Sequence, residues 1–313
     1  MTCYRPFRAY LGKDKPDGKK NIVFNRSNSW RGKEINMPCY NKCIGCREQR
    51  AQEWAIRIDH EAQLWEDNSF ITVTYDERHL PKDGSLNTKH IQDFIKRLRK
   101  EIYPKKIRYF YSGEYGDIKN TFRPHYHMIL FNHDFEDKEE FKMKGENQLY
   151  TSKTLEKLWP FGYTSIGTVS YGSASYVARY IHKKQEKLDE LGRSFFHLNN
   201  LKPEYTQGST NPGIGHGYFK KYWMDFYPCD YVAINGHKKK VPRYYDQLLD
   251  KQNPEMLKEV KEVRMKRKRS TVTDRDYKNR KITVSNEDSF RLPVREAVAE
   301  AKSKRQNKLN HWR

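Results

Sequence analysis

The sequence predicts an α+β fold: a central antiparallel β-sheet flanked by helices, with a cysteine-rich N-terminal extension before it and a basic helical tail behind it. Three observations predict it. Phe70-Ile71-Thr72-Val73-Thr74-Tyr75 is a β-branched and aromatic run of strand character, whereas Ile91, Phe94, Ile95 and Leu98 recur at helical spacing. Two further strand-like segments, Ile107 to Tyr115 and His125 to Asn132, are joined by Gly116-Asp117-Ile118-Lys119-Asn120-Thr121 and read as a hairpin.

Taken in order, residues 1 to about 50 read as a loop-rich extension, with abundant Gly, Lys, Asn and Pro. From Arg47 to about Trp65, the positions of Trp54, Ala55, Ile58, His60 and Leu64 have helical spacing. The strand at 70–75 follows, bounded by the turn formers Pro81, Asp83 and Gly84. A helix from Asn87 to Ile102 is stopped by Pro104, and the hairpin comes next. After a charged stretch, a helix near Thr154 to Trp159, a strand from Tyr163 to Val169 and a helix from Ser173 to Lys187 complete the sheet and its cover. Beyond Gly192 the pattern is irregular, with Pro212-Gly213-Ile214-Gly215 and Pro242-Arg243-Tyr244-Tyr245 expected as packed loops. The last stretch is basic and helical in pattern. Its densest charge run, Met265 to Ser270, fits a solvated face or linker as well as a DNA contact.

At 313 residues the chain can bury a sizeable core. No stretch approaches the ~20 apolar residues of a membrane span, and no apolar segment of a secretory signal follows Met1, so no membrane partner and an intracellular location are expected. A net charge of +21 points to a polyanionic partner, nucleic acid first, because Lys and Arg release its condensed counterions. The 22 tyrosines add rings able to stack on unpaired bases.

Of five cysteines, Cys3, Cys39, Cys43 and Cys46 bunch early and offer four thiolates for a structural Zn2+; reduced thiols are the other reading. Cys229 is expected to be packed. In the second strand of the hairpin, His125 and His127 project to one face and can grip one ion, while Tyr126 points the other way. A turn centred near Lys119 and Asn120 sets Glu114 opposite His125, which makes it the third candidate ligand, with Asp117 in reserve. Two imidazoles and a carboxylate suit Mg2+ or Mn2+ when a phosphate supplies further oxygens. On the later helix Tyr176, Tyr180 and Lys184 fall four apart, a stripe of two hydroxyls and an ammonium suited to phosphoryl transfer. Arg123 and Arg179, beside these motifs, are candidate DNA contacts.

The two motifs together resemble the HUH endonuclease superfamily, which includes rolling-circle initiators, relaxases and some transposases. The strand at 70–75 is similar to the first motif of that family, His125-Tyr126-His127 to its metal motif, and Tyr176 to Lys184 to its two-tyrosine nucleophile motif, with the motif lysine either Lys183 or Lys184. The resemblance is closest to the replication initiation proteins of Microviridae of the gokushovirus group. It is carried also by Pro38-Cys39, Cys43-Ile44-Gly45-Cys46-Arg47, Gly113-Glu114-Tyr115-Gly116 and the two proline motifs above, and covers residues 1 to about 250. It implies an extension and lead-in helix over 1–64, an HUH endonuclease domain with its elaboration over 65–250, and a tail over 251–313. It also implies metal-dependent nicking of single-stranded DNA at a viral origin, through a 5′-phosphotyrosine, in the cytoplasm of a bacterial host. No Gly-x4-Gly-Lys-Ser/Thr motif is present, so a host helicase is expected to part the duplex and a host polymerase to extend the free end. A relaxase or transposase, and a non-catalytic zinc-stabilised nucleic-acid binder, are the rival readings.

Overall fold

The structure, a computed structural model, describes residues 3–15, 20–39, 42–116, 122–145, 147–183, 195–227, 229–270, 273–275, 281–283 and 292–311. The chain divides into two compact units, 1–50 with 266–312 and, separately, 51–265.

In the first unit the expected loops give way to a three-stranded antiparallel sheet, β1 (Phe7–Asp14), β2 (Lys20–Val23) and β3 (Glu34–Met37), ordered β2-β1-β3. The strands are short and mostly polar, and among them only Ala9 is fully buried, so no period marked them. Helix α1 (Ile44–Ala62) starts three residues before its expected N-terminus.

The second unit is built on β4 (Asn68–Tyr75), α2 (Thr88–Glu101), β5 (Arg108–Tyr115) and β6 (Pro124–Phe131), close to their expected limits. The Asn87 side chain caps α2 by accepting from the amides of Lys89 and His90. The charged stretch that follows is itself a hairpin, β7 (Lys138–Lys144) with β8 (Asn147–Ser152). β7 ends the sheet and carries Lys and Glu at most positions, which hid it. Then come α3 (Lys153–Leu158), β9 (Gly162–Gly167), α4 (Tyr171–Lys183), α5 (Phe195–Leu198) and β10 (Tyr205–Gly208). The sheet order is β10-β5-β6-β4-β9-β8-β7, every pair antiparallel.

Residues beyond 200 are also more regular than expected. They form α6 (His216–Phe226), the pair β11 (Val232–Ile234) and β12 (His237–Lys239), α7 (Arg243–Gln252) and α8 (Pro254–Ser270). Pro242-Arg243-Tyr244-Tyr245 is therefore a helix start and not a loop, with Pro242 at the N-cap. The tail adds a short pair, β13 (Thr273–Arg275) and β14 (Lys281–Thr283), and helix α9 (Leu292–His311), whose buried Glu296 binds Arg5 at 2.6 Å within the first unit.

Alternation gives the large sheet two apolar faces. Ile71, Val73, Tyr75, Tyr111, Tyr126, Met128 and Leu130 pack under Ile91, Phe94, Ile95 and Leu98 of α2. On the opposite face Phe110, Ile129 and Phe131 meet Ile58 of α1, Ala174 and Val177 of α4, and Ile214. The Pro212–Gly215 turn is held onto that face by buried charge. Glu61 Oε2 accepts from Gly215 N at 2.7 Å, Glu61 also pairs with Arg108 at 2.7 Å, and Arg57 Nε donates to Ile214 O between the rings of Trp54 and Tyr244. Gly215 has φ +80, and a Cβ there would stand 2.6 Å from the Tyr245 hydroxyl, so glycine is required twice over.

Next to this clamp His60 is buried, stacked on Tyr218 and 3.0 Å from the Tyr245 hydroxyl. Burial disfavours its cation and pushes its pKa down from 6.5 to about 4. The folded value lies below the unfolded one, so the neutral ring contributes fully above pH 6.5, and that contribution is lost as pH falls towards 4. Denaturant titrations across this window are expected to lose about 3 kcal/mol to His60 alone. A His60→Gln variant, measured alongside, should lack that part of the slope.

Candidate metal centre and tyrosine site

The site follows from strand period and register. In β6 the side chains of Tyr126 and Met128 enter the α2 side, so His125 and His127 face α4. The hairpin register pairs Glu114 of β5 with His125, and Ser112 with His127. On the other flank Thr72 of β4 pairs with His127, and Thr74 with His125. Three adjacent strands thus bring one carboxylate, two imidazoles and a threonine hydroxyl to one spot. Tyr126, aromatic where an aliphatic residue is common, costs nothing here. Its buried hydroxyl accepts from Asn87 N and donates to Asn87 O.

Glu114, His125 and His127 each present one ligand atom, all within 4.8 Å of one another. Glu114 Oε1 lies 2.8 Å from His127 Nε2 and 3.5 Å from His125 Nε2. The opposite ring nitrogens are already engaged: His125 Nδ1 is 3.0 Å from the Arg123 carbonyl and His127 Nδ1 is 2.8 Å from Thr72 Oγ1. A carbonyl can only accept, so His125 Nδ1 carries the proton and its Nε2 offers a lone pair; Thr72 can set the same tautomer in His127. Glu114 Oε1 is buried without an aligned hydrogen-bond donor although both imidazoles stand beside it. Lone pairs converging on a buried anionic oxygen are the donor set of a divalent cation, so these residues fit a bound metal. Burial alone would raise the Glu114 carboxyl, but the flanking His125 and His127 outweigh it and bring its pKa down to about 2. The carboxylate is therefore ionised at any working pH.

Helix α4 delivers the phenol. Ser170 and Ser173 cap its start reciprocally, each hydroxyl accepting the other's amide. Ala174, Val177 and Ala178 are buried against the unit, and Tyr176, between them in sequence, is exposed at 40%. Its hydroxyl is 3.5 Å from His127 Nε2, and its ring stands edge-on to His127 and to Phe70. The phenol thus borders the ligand cluster while staying open to solvent.

Tyr180 lies four residues on in α4, and Lys183 closes the helix; their side chains are outside the described residues, as are Lys184 and the reserve ligand Asp117. Arg179 is exposed on α4. Arg123 is engaged by the Tyr75 carbonyl at 2.8 Å and by the Glu77 carboxylate, so a phosphate would have to share or displace those bonds. Cys3, Cys39, Cys43 and Cys46 gather in the first unit, and Cys229, expected to be packed, is exposed. Among the described residues no helix is long and apolar enough to cross a membrane. Thr72 and Phe70 escaped sequence reading as site residues. Their signal was present all the same, since in a strand containing Ile71 and Val73 the intervening residues share the opposite face.

Comparison with known proteins agrees with this arrangement. The family model for the replication-associated protein ORF2 matches residues 68–185, the segment from β4 through α4. Replication-associated protein VP4 of Bdellovibrio phage phiMH2K is 34% identical over 82% of this chain and 79% of its own. Replication-associated protein ORF2 of Spiroplasma virus 4 is 34% identical over 88% and 89%, and ORF4 of Chlamydia phage 1 is 35% identical over 69% and 54%. No solved structure matches. At this identity and coverage, the chain belongs to the replication-associated proteins of small phages, as a replication initiator of the gokushovirus type within the Microviridae.

Proposed function

We propose that this chain is a site-specific endonuclease and strand-transferase that starts rolling-circle replication by cutting one DNA strand with Tyr176. The observation that carries the reading is the Tyr176 hydroxyl 3.5 Å from the nitrogen through which His127 enters the Glu114–His125–His127 cluster. A nucleophile and a cation site this close can act on one phosphate.

Glu114, His125 and His127 would hold Mg2+ or Mn2+, which when bound offsets the charge that builds on the phosphate oxygens. Tyr176 attacks phosphorus in line; its phenol proton is lost, the P–O3′ bond breaks and the 3′-oxygen leaves as a hydroxyl. The product is a 5′-phosphotyrosine with a free 3′ end for a host polymerase. Because the covalent bond keeps the phosphodiester energy, a second attack can close the displaced strand into a circle. Tyr180, one helical turn on, is the residue placed to make it, with Lys183 or Lys184 favouring phenolate. Basic residues such as Arg179 would track single-stranded DNA at the viral origin, and separation of the duplex falls to a host helicase.

Two outcomes test this reading. With a labelled single-stranded origin oligonucleotide and Mn2+, the wild-type chain should give a covalent adduct on a denaturing gel. Tyr176→Phe should cut single-turnover adduct formation by about 1,000-fold or more while oligonucleotide affinity stays within a few-fold. Adduct at the wild-type rate would move the nucleophile elsewhere. Separately, Thr72→Val should weaken Mn2+ binding by about 10–100-fold, because the hydroxyl that orients His127 is gone. A calorimetric titration in which Thr72→Val binds Mn2+ like the wild type would contradict the metal assignment.

A further inference from the structure

Apart from the sheet site, the first unit holds a second convergence of ligand atoms. Cys3 precedes β1, Cys39 follows β3, and Cys43 and Cys46 sit at the start of α1, yet their four sulfurs all lie within 4.8 Å of one another. Cys39 and Cys46 are 3.7 Å apart and Cys43 and Cys3 are 3.9 Å apart. Those spacings exclude disulfides, whose sulfurs stand about 2.05 Å apart. They match the edge of a tetrahedron whose centre lies ~2.3 Å from each corner, which is about 3.8 Å and the geometry of four thiolates on one zinc ion. A cage this small also leaves no room for a multi-iron cluster, which sets its outer sulfurs further apart.

The backbone is arranged for sulfur carrying negative charge. Tyr4 N and Cys46 N both donate to Cys43 Sγ, Cys43 N donates to Cys39 Sγ, and Cys39 N donates to Cys3 Sγ, at 3.2 to 3.4 Å. Cys39 and Cys43 are buried, where unpaired thiolates would be costly without a cation. We infer that Cys3, Cys39, Cys43 and Cys46 bind one structural Zn2+ that ties both outer ends of the β2-β1-β3 sheet segment to the first turn of α1. All four positions are filled by protein, so the ion has no open site for chemistry. Its role is to hold a sheet that buries too little apolar surface to hold itself. Each thiol loses its proton as the metal–sulfur bond forms, and no oxidant is involved.

The test is elemental analysis of the full-length chain, purified without a metal-chelating tag from zinc-supplemented cells and dialysed against metal-free buffer. About one zinc per chain should be retained. Zinc should persist in Cys229→Ser and in a His125→Ala, His127→Ala variant, and be lost in Cys39→Ser, Cys43→Ser. Since that last variant also risks unfolding, wild-type protein exchanged with Co2+ provides an independent readout: the visible and thiolate charge-transfer bands of a tetrahedral sulfur site. Retention of zinc by the double cysteine variant, loss of zinc from the wild type on dialysis, iron in its place, or a Co2+ spectrum without thiolate bands would each overturn the inference.

Discussion

An ionised carboxylate buried beside two imidazoles is the constraint around which the second unit is organised. Glu114 is only 3% exposed, and a charge so far from water persists only where opposite charge or a metal meets it. Strand pairing supplies that meeting. A slip of one residue between β5 and β6 would send Glu114 to the α2 face, among Tyr111, Tyr126 and Phe94, with no partner. Register, charge and the α2-side core therefore specify one another.

The remainder of the unit keeps this face accessible yet covered on its flanks. Packing under α2 uses one set of alternate side chains and leaves the other set free to meet α1 and α4. Small residues Ala174 and Ala178 let α4 approach the unit closely, which brings Tyr176 to the edge of the imidazoles without burying it. The Glu61–Arg108 pair and the stacked Arg57 guanidinium pin the Pro212–Gly215 turn against the same face. Buried ion pairs contribute little net stability, but here they fix one arrangement of the backbone around Gly215.

Much of this was legible in the sequence, and the physical reason is period. The residues 70–75, the helix marked by Ile91 to Leu98 and the histidine strand each bury one face of a regular element, so their spacing shows in the chain. Even the pairing of Glu114 with His125 could be read, because the length of a hairpin connection sets register. What stayed hidden was either exposed on both faces or fixed by distant contacts. β7 is an edge strand of charges, and β2 and β3 are four residues each. α6 and α7 owe their place to the aromatic cluster around Phe219, Phe226 and Tyr245, assembled from segments distant in sequence. Thr72 as a partner of His127, and Arg123 as a partner of Glu77, are long-range hydrogen-bonding facts that no local pattern encodes.

The central claim is that a cation and the Tyr176 phenol share one cleft on the β5-β6-β4 face. Anomalous diffraction from crystals grown with Mn2+ and a short single-stranded oligonucleotide tests it directly. The account predicts one strong manganese peak bonded to Glu114, His125 and His127, with a phosphate oxygen completing its shell and the Tyr176 oxygen facing that phosphorus. A peak elsewhere, or a phosphate bound out of reach of Tyr176, would contradict it.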